Sequence, residues 1–215
     1  MPTKNYKTHL LTSLLITILL LAFGASASGK VISVPEDYDT IQAAVDAAGM
    51  GDTVEVGPGS YGGFTMQGKQ SVTVRTVGEG DTVIEGTVQV LDSKLVNLSG
   101  FTITGEGDGL IICGNTSHFT ASNNSMIKNE GKGILFCCEG NFFNIKVKDN
   151  KVNKNGGDGM DVCGRGRKCE ITDNDINYNG RTTAGGVGLR LGTGLKDVLV
   201  EGNEIVGNPF AGIHA

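Results

Sequence analysis

The chain of 215 residues has no tryptophan, 6% aromatic residues and only three histidines. In their place stand 34 glycines. Such a composition lacks the bulky side chains that fill a rounded core, and it favours a stack of thin coils. A basic excess is missing too. The formal net charge is −5, and because affinity for nucleic acid comes mainly from cations that neutralise phosphates, nucleic acid is excluded as a partner. The five cysteines contain no C-x-x-C pair, which removes the commonest spacing for a thiolate metal site, so no metal-binding residues are assigned.

Long hydrophobic runs are limited to Leu10 to Phe23. Lys4 and Lys7 precede this run and Ala25-Ser26-Ala27 follows it, the layout of a secretory signal with small residues at the cleavage positions. A membrane anchor needs about 20 apolar residues, and this run is shorter. Residues 1–27 are therefore expected to be a signal peptide, and residues 30–215 one exported domain without a stable membrane span: secreted, periplasmic or at the cell surface. Cleavage removes two of the 18 basic residues and none of the 23 acidic ones, so the net charge falls from −5 to −7.

What the chain does have is a repeat. Asp108-Gly109-Leu110, Lys132-Gly133-Ile134, Asp158-Gly159-Met160, Val187-Gly188-Leu189 and Ala211-Gly212-Ile213 follow one another at spacings of 24, 26, 29 and 24 residues. A period of that size marks a solenoid. Asn124, Asn150, Asn174 and Asn203 form a second set of anchors, each followed five residues later by Asn129, Asn155, Asn179 and Asn208. Around them, Phe119/Ala121, Ile145/Val147, Cys169/Ile171 and Val198/Val200 alternate with polar residues, as do Leu110/Ile112, Ile134/Phe136, Met160/Val162 and Leu189/Leu191. Period two is the pattern of strands with one buried face.

Two architectures fit such coils. The stretches from Phe142 to Val152 and from Leu195 to Ile205 also match the spacing of leucine-rich repeats. That horseshoe fills the rest of each repeat with helix, whereas here the rest is glycine-rich, and glycine costs about 1 kcal/mol per helical position. The expectation is an all-β right-handed parallel β-helix, with the leucine-rich-repeat horseshoe as the alternative. Near the start, Ile41, Ala44, Val45 and Ala48 have helical spacing behind Asp39 or Thr40 as N-cap. A helix there would cover the first coil, whose apolar end and strand edges otherwise face water.

Five cysteines in an exported chain imply disulfides with one thiol left over. Cys113, Cys137 and Cys163 each lie four residues after a repeated glycine, so stacking puts them in one column within disulfide range as structural cysteines. Cys169 falls in the inward column of Phe119, Ile145 and Val198.

The opening Val34-Pro35-Glu36-Asp37-Tyr38-Asp39-Thr40-Ile41-Gln42-Ala43-Ala44-Val45, with Gly51-Asp52-Thr53-Val54 and Gly57-Pro58-Gly59-Ser60-Tyr61, resembles the start of pectate-lyase-like right-handed β-helix proteins, and the later Asn-x-Ile coils resemble their repeats. The resemblance covers about residues 31–215. It implies a protein that binds, and as an enzyme would cleave or modify, acidic polysaccharide, since the family includes polysaccharide lyases, glycoside hydrolases and uronate epimerases. It also includes non-catalytic adhesins and periplasmic helpers of copper-site assembly, so activity has to be argued from a site.

The position two after each repeated glycine reads Ile111, Leu135, Asp161, Arg190, His214. Alternation turns it outward, which predicts an exposed column of acid, guanidinium and imidazole, with Asp161 and Arg190 close enough for an ion pair. Asp158 precedes Gly159, and Arg165, Arg167 and Arg181 lie in nearby segments. β-Elimination in a uronate polymer needs the substrate carboxylate neutralised and a base for the adjacent proton. In that chemistry Asp161, Arg190 and His214 are the catalytic candidates, and Asp158, Arg165, Arg167 and Arg181 the substrate-binding ones. No obligatory cofactor is indicated, although Asp161 has the chemistry to hold Ca²⁺. The sequence leaves the oligomeric state open, and its end at Gly212-Ile213-His214-Ala215, where a coil begins, reads as a C-terminal truncation.

Overall fold

The computed structural model describes residues 29–182 and 186–215; the signal peptide expected over residues 1–27 lies outside them. Along the chain come β1 (Val31–Val34), the helix α1 (Ile41–Ala47), β2 (Thr53–Val56), β3 (Gly59–Gln67), β4 (Thr73–Thr76) and β5 (Thr82–Leu91). Then follow β6 (Asn97–Ser99), β7 (Thr102–Thr104), β8 (Leu110–Cys113), β9 (Thr120–Ser122), β10 (Ser125–Ile127) and β11 (Ile134–Phe136). The last are β12 (Asn141–Lys148), β13 (Lys151–Asn153), β14 (Met160–Val162), β15 (Arg165–Thr172), β16 (Val187–Leu191), β17 (Lys196–Glu201) and β18 (Ala211–His214).

Strands one coil apart pair in parallel. One wall runs β1-β2-β4-β6-β9-β12-β15-β17, eight coils long. Two further walls diverge from β5, whose residues Val83, Ile84 and Glu85 pair with β7 while Val88 to Leu91 pair with β8. The bend between them is Gly86 at φ +141°. From there β7, β10 and β13 form the second wall, and β8, β11, β14, β16 and β18 the third. Inward residues of all three walls, among them Leu98, Ile103, Ile112, Met126, Phe136, Val147 and Met160, are at most 1% exposed. Each such side chain contributes about 1.5–3 kcal/mol of apolar burial. This is the expected β-helix, and with no helix after Ala47 among the described residues the leucine-rich-repeat alternative falls.

The corners carry two asparagine ladders. Asn124, Asn150 and Asn174 each donate from Nδ2 to Oδ1 of the next asparagine of the column at 2.8–3.2 Å. Each also donates its backbone N–H to that next Oδ1, at 2.9–3.0 Å. The Nδ2 groups reach back to Leu98 O, Ala121 O and Val147 O. Asn129, Asn155, Asn179 and Asn208 repeat the arrangement five residues on. The residue before each ladder asparagine has a left-handed φ, even where it is Lys128, Lys154 or Tyr178. That conformation is costly for a non-glycine residue, and the buried bonds it makes reachable offset the cost.

The repeated glycines follow from the second ladder. A Cβ on Gly133 would stand 2.7 Å from Asn155 Nδ2 and 2.3 Å from Val152 Cγ1, and one on Gly159 would stand 2.7 Å from Asn179 Nδ2 and 2.5 Å from Ile176 Cγ2. Only a residue without a side chain fits beneath the asparagine.

At the N-terminal end, Thr40 Oγ1 accepts from Ala43 N at 3.2 Å and caps α1, which packs on β1, β2 and β3 through buried Ile41, Ala44 and Val45. Gln42 closes the free edge of β3: its Oε1 accepts from Thr65 N at 2.8 Å and its Nε2 donates to Thr65 O at 3.2 Å. Among the described residues no helix is long and apolar enough to cross a membrane.

Two disulfides cross the coils, Cys113–Cys137 and Cys138–Cys163, with Cα separations of 5.0 and 4.6 Å. The expected column supplies one of these bridges, and the pairing that the sequence left open is resolved by exclusivity. Cys137 can bond only one neighbour and takes Cys113, and the turn after β11 brings Cys138 to Cys163. Each closes a loop of about 25 residues, worth about 3 kcal/mol in chain entropy. Cys169 is free and 1% exposed, and burial pushes its thiol up to about 11.

Two expected outcomes follow from this packing. Asn155→Ala strands the Asn129 amide and Met126 O in a dry corner, at about 1–3 kcal/mol per unsatisfied group, so urea unfolding should show a loss of about 3 kcal/mol or more, well above that of an exposed Asn→Ala change. For the thiol, non-reducing peptide mapping should recover Cys113–Cys137 and Cys138–Cys163, with Cys169 unalkylated until the chain unfolds. Because its folded value is raised, the protonated thiol stabilises the fold in full below the unfolded value near 9 and progressively less as pH rises towards 11. Rapid native alkylation of Cys169 would contradict this account.

Candidate functional site

The outward row is in register. Leu135 lies opposite Asp161, Asp161 opposite Arg190 and Arg190 opposite His214, on β11, β14, β16 and β18. The pairings differ from those expected. Asp161 is 8% exposed instead of open, because Lys132 from the neighbouring coil lays its ammonium 2.6 Å from Asp161 Oδ2. Arg190 pairs with Asp158, not with Asp161: Nε donates to Oδ2 at 2.9 Å and Nη2 to Oδ1 at 3.4 Å. Long side chains reach diagonally across the wall, so neighbours in register are not partners in charge.

Asp158 has a second task. Its Oδ1 accepts from Val187 N at 2.8 Å, as Asp108 Oδ1 accepts from Lys132 N at 2.6 Å at the same repeat position. A buried carboxylate thus ties one coil to the next and fixes Arg190. The Asp158 hydrogen bond raises the Arg190 value above its usual range, with burial opposing and the charges of Asp158 and Asp161 adding to it. Nη1 remains on the solvent side, 3.2 Å from His214 Nδ1. Since guanidinium only donates, Nδ1 is the acceptor where the two meet. His214 is exposed.

The other predicted residues are distributed around this row. Arg181 lies between β15 and β16 in sequence, its Nη1 donating to Lys154 O at 3.2 Å. Arg165 and Arg167 belong to β15, on the first wall, beyond the corner Cys163-Gly164. They line a separate groove. Lys132 was missed, although its place before Gly133 in the repeat put it in the column of Asp108 and Asp158. Among the described residues no three His, Cys, Asp or Glu side chains gather as a metal site.

A sequence profile for the right-handed β-helix region matches residues 54–176. The chain belongs to the right-handed β-helix family. No curated protein sequence matches it. Among solved structures this β-helix is similar to an alginate lyase from Paenibacillus sp. str. FPU-7, with a TM-score of 0.68 and 16% identity over 85% of this chain and 68% of that one. It is also similar to the pectate lyase Pel9A, with a TM-score of 0.57 and 16% identity over 77% of this chain and 60% of that one. At this identity the likeness is one of fold.

In this β-helix the paired charges are testable by a double-mutant cycle. Lys132→Met leaves the Asp161 carboxylate covered but unpaired and should cost about 1–3 kcal/mol. Adding Asp161→Asn should recover part of that loss, with a coupling of at least about 0.5 kcal/mol. Strictly additive melting data would show that the contact contributes nothing.

Proposed function

We propose that this β-helix is an exported protein that binds acidic, uronic-acid polysaccharide along the row Asp161–Arg190–His214. The observation that carries this reading is the state of Arg190: Asp158 fixes its Nε side, while Nη1 is presented outward beside His214. An immobilised guanidinium with free donors suits a carboxylate, because the binding geometry is set before the ligand arrives. Asp158 acts through Arg190 as a positioning residue, and Arg181 adds positive charge at the entry to the same wall. The two disulfides accord with export into an oxidising compartment.

If the bound sugar is turned over, the row supplies a carboxylate clamp in Arg190 and a proton-transfer group in His214. Asp161 is the weakest member of such a mechanism, because Lys132 already occupies its carboxylate. That occupation is what favours the second reading, a non-catalytic polysaccharide-binding module.

Arg190→Ala should weaken binding of polygalacturonate or alginate fragments about tenfold or more, the equivalent of one charge-assisted hydrogen bond of about 1.5–3 kcal/mol. Equal affinity of wild type and variant would remove the row as the binding face. Incubation with the same polymers separates the two readings: formation of an unsaturated uronate chromophore that is lost in His214→Ala marks a lyase, and binding without it marks the module.

A further inference from the structure

On the first wall, two outward pairs balance their charges across neighbouring strands. Arg75 stands opposite Glu55 and forms an ion pair with it, and Lys146 stands opposite Glu170 at 2.9 Å. Where β15 meets the next strand, β17, that balance fails. Arg167 stands opposite Lys196, two cations directly across a strand pair, an arrangement that is destabilising. Arg165 lies two residues from Arg167 on β15. Among the described residues none of Arg165, Arg167 and Lys196 has a carboxylate partner.

These three cations line one groove with Asn141, Phe143 and Gly194, of about 540 Å³, within the range of small-ligand sites. Phe143, opposite Arg167 in the neighbouring coil, is 40% exposed and held in place. His118 meets its ring edge-on at 5.3 Å, and Lys168 Nζ sits 5.6 Å from its centroid. The groove therefore offers a fixed apolar wall beside a concentration of unpaired positive charge, in a chain whose net charge is negative.

We propose that this groove is a second carbohydrate site, specific for a short stretch of carboxylate-bearing sugar: Arg167 and Lys196 share the anionic groups, and Phe143 meets the apolar face of the ring. A bound carboxylate relieves the repulsion between the two cations, and the aromatic wall discriminates a sugar acid from a simple anion. The site is on a different wall from Asp161, Arg190 and His214 and does not depend on their role.

The test is a site-resolved NMR titration of the exported protein with trigalacturonate. Amide shifts are expected at Phe143 and Gly194, with the dissociation constant read there rising about tenfold in Arg167→Ala and in Lys196→Ala. Arg190→Ala should leave these shifts intact while abolishing those around His214, so that failure of one site is told apart from failure of the other. Arg167→Glu turns the like-charged pair into an opposite one and should abolish binding at the groove with a melting temperature at or above that of wild type. The proposal is overturned if Phe143 and Gly194 do not shift, if Arg167→Glu binds as wild type does, or if maltotriose, inorganic phosphate or a short single-stranded oligonucleotide binds there as tightly as trigalacturonate.

Discussion

A buried amide at a solenoid corner cannot turn to water, so each coil must supply the acceptor for the coil beside it. From Asn124 to Asn208 the asparagine side chain does so twice per coil, and the architecture of these coils is conditional on it. Asn155 Oδ1 holds the backbone and side-chain N–H of Asn129, while its own Nδ2 holds Met126 O. With its further bond from Nδ2 to Asn179 Oδ1, four bonds from one side chain leave no room for a slip of register, because a one-residue shift would unpair all of them in a dry environment. The glycine requirement is a consequence. Since the asparagine amide lies against the entry to each third-wall strand, Gly109, Gly133, Gly159 and Gly188 there have no room for a Cβ.

This is why the fold is legible in the sequence. Ladder asparagines, the glycines beneath them and the inward apolar pairs are all constraints between neighbouring coils, so each imposes the same residue at the same phase. Phase in turn fixes strand register, and the row Leu135, Asp161, Arg190, His214 emerged at its expected opposition. The cysteines show the limit of phase. Cys113, Cys137 and Cys163 share one, yet covalent bonding is exclusive, and Cys138, one residue out of phase, completes the second bridge.

Charge partners were less legible for a different reason. A lysine or arginine stem is long compared with the spacing between coils, so it can reach an acid in register, one position away, or in the next turn. Lys132 selects Asp161 and Arg190 selects Asp158 because those carboxylates are the ones the wall covers, where a charge without a partner costs most. Asp158 was already committed to the amide of Val187. A fixed, desolvated acid beside an arginine makes that arginine a more rigid ligand group than spacing alone suggests.

The outer surface then divides into two electrostatic regimes. On the third wall every strong charge of the row is matched within the protein, so a ligand there competes for donors left over on Arg190 and finds them pre-oriented but few. On the first wall Arg167 and Lys196 have no carboxylate partner among the described residues, so two cations face each other across the strand pair. Pre-orientation gives selectivity in geometry, and unbalanced charge gives attraction at a distance and sensitivity to salt. One corner, Cys163-Gly164, separates the two regimes, and the Cys138–Cys163 bridge pins that corner to the coil before it. For the polysaccharide binding proposed above, the rigidity of that corner would set the distance between the unpaired cations and the ordered guanidinium, and so bear on recognition as much as either set of charges.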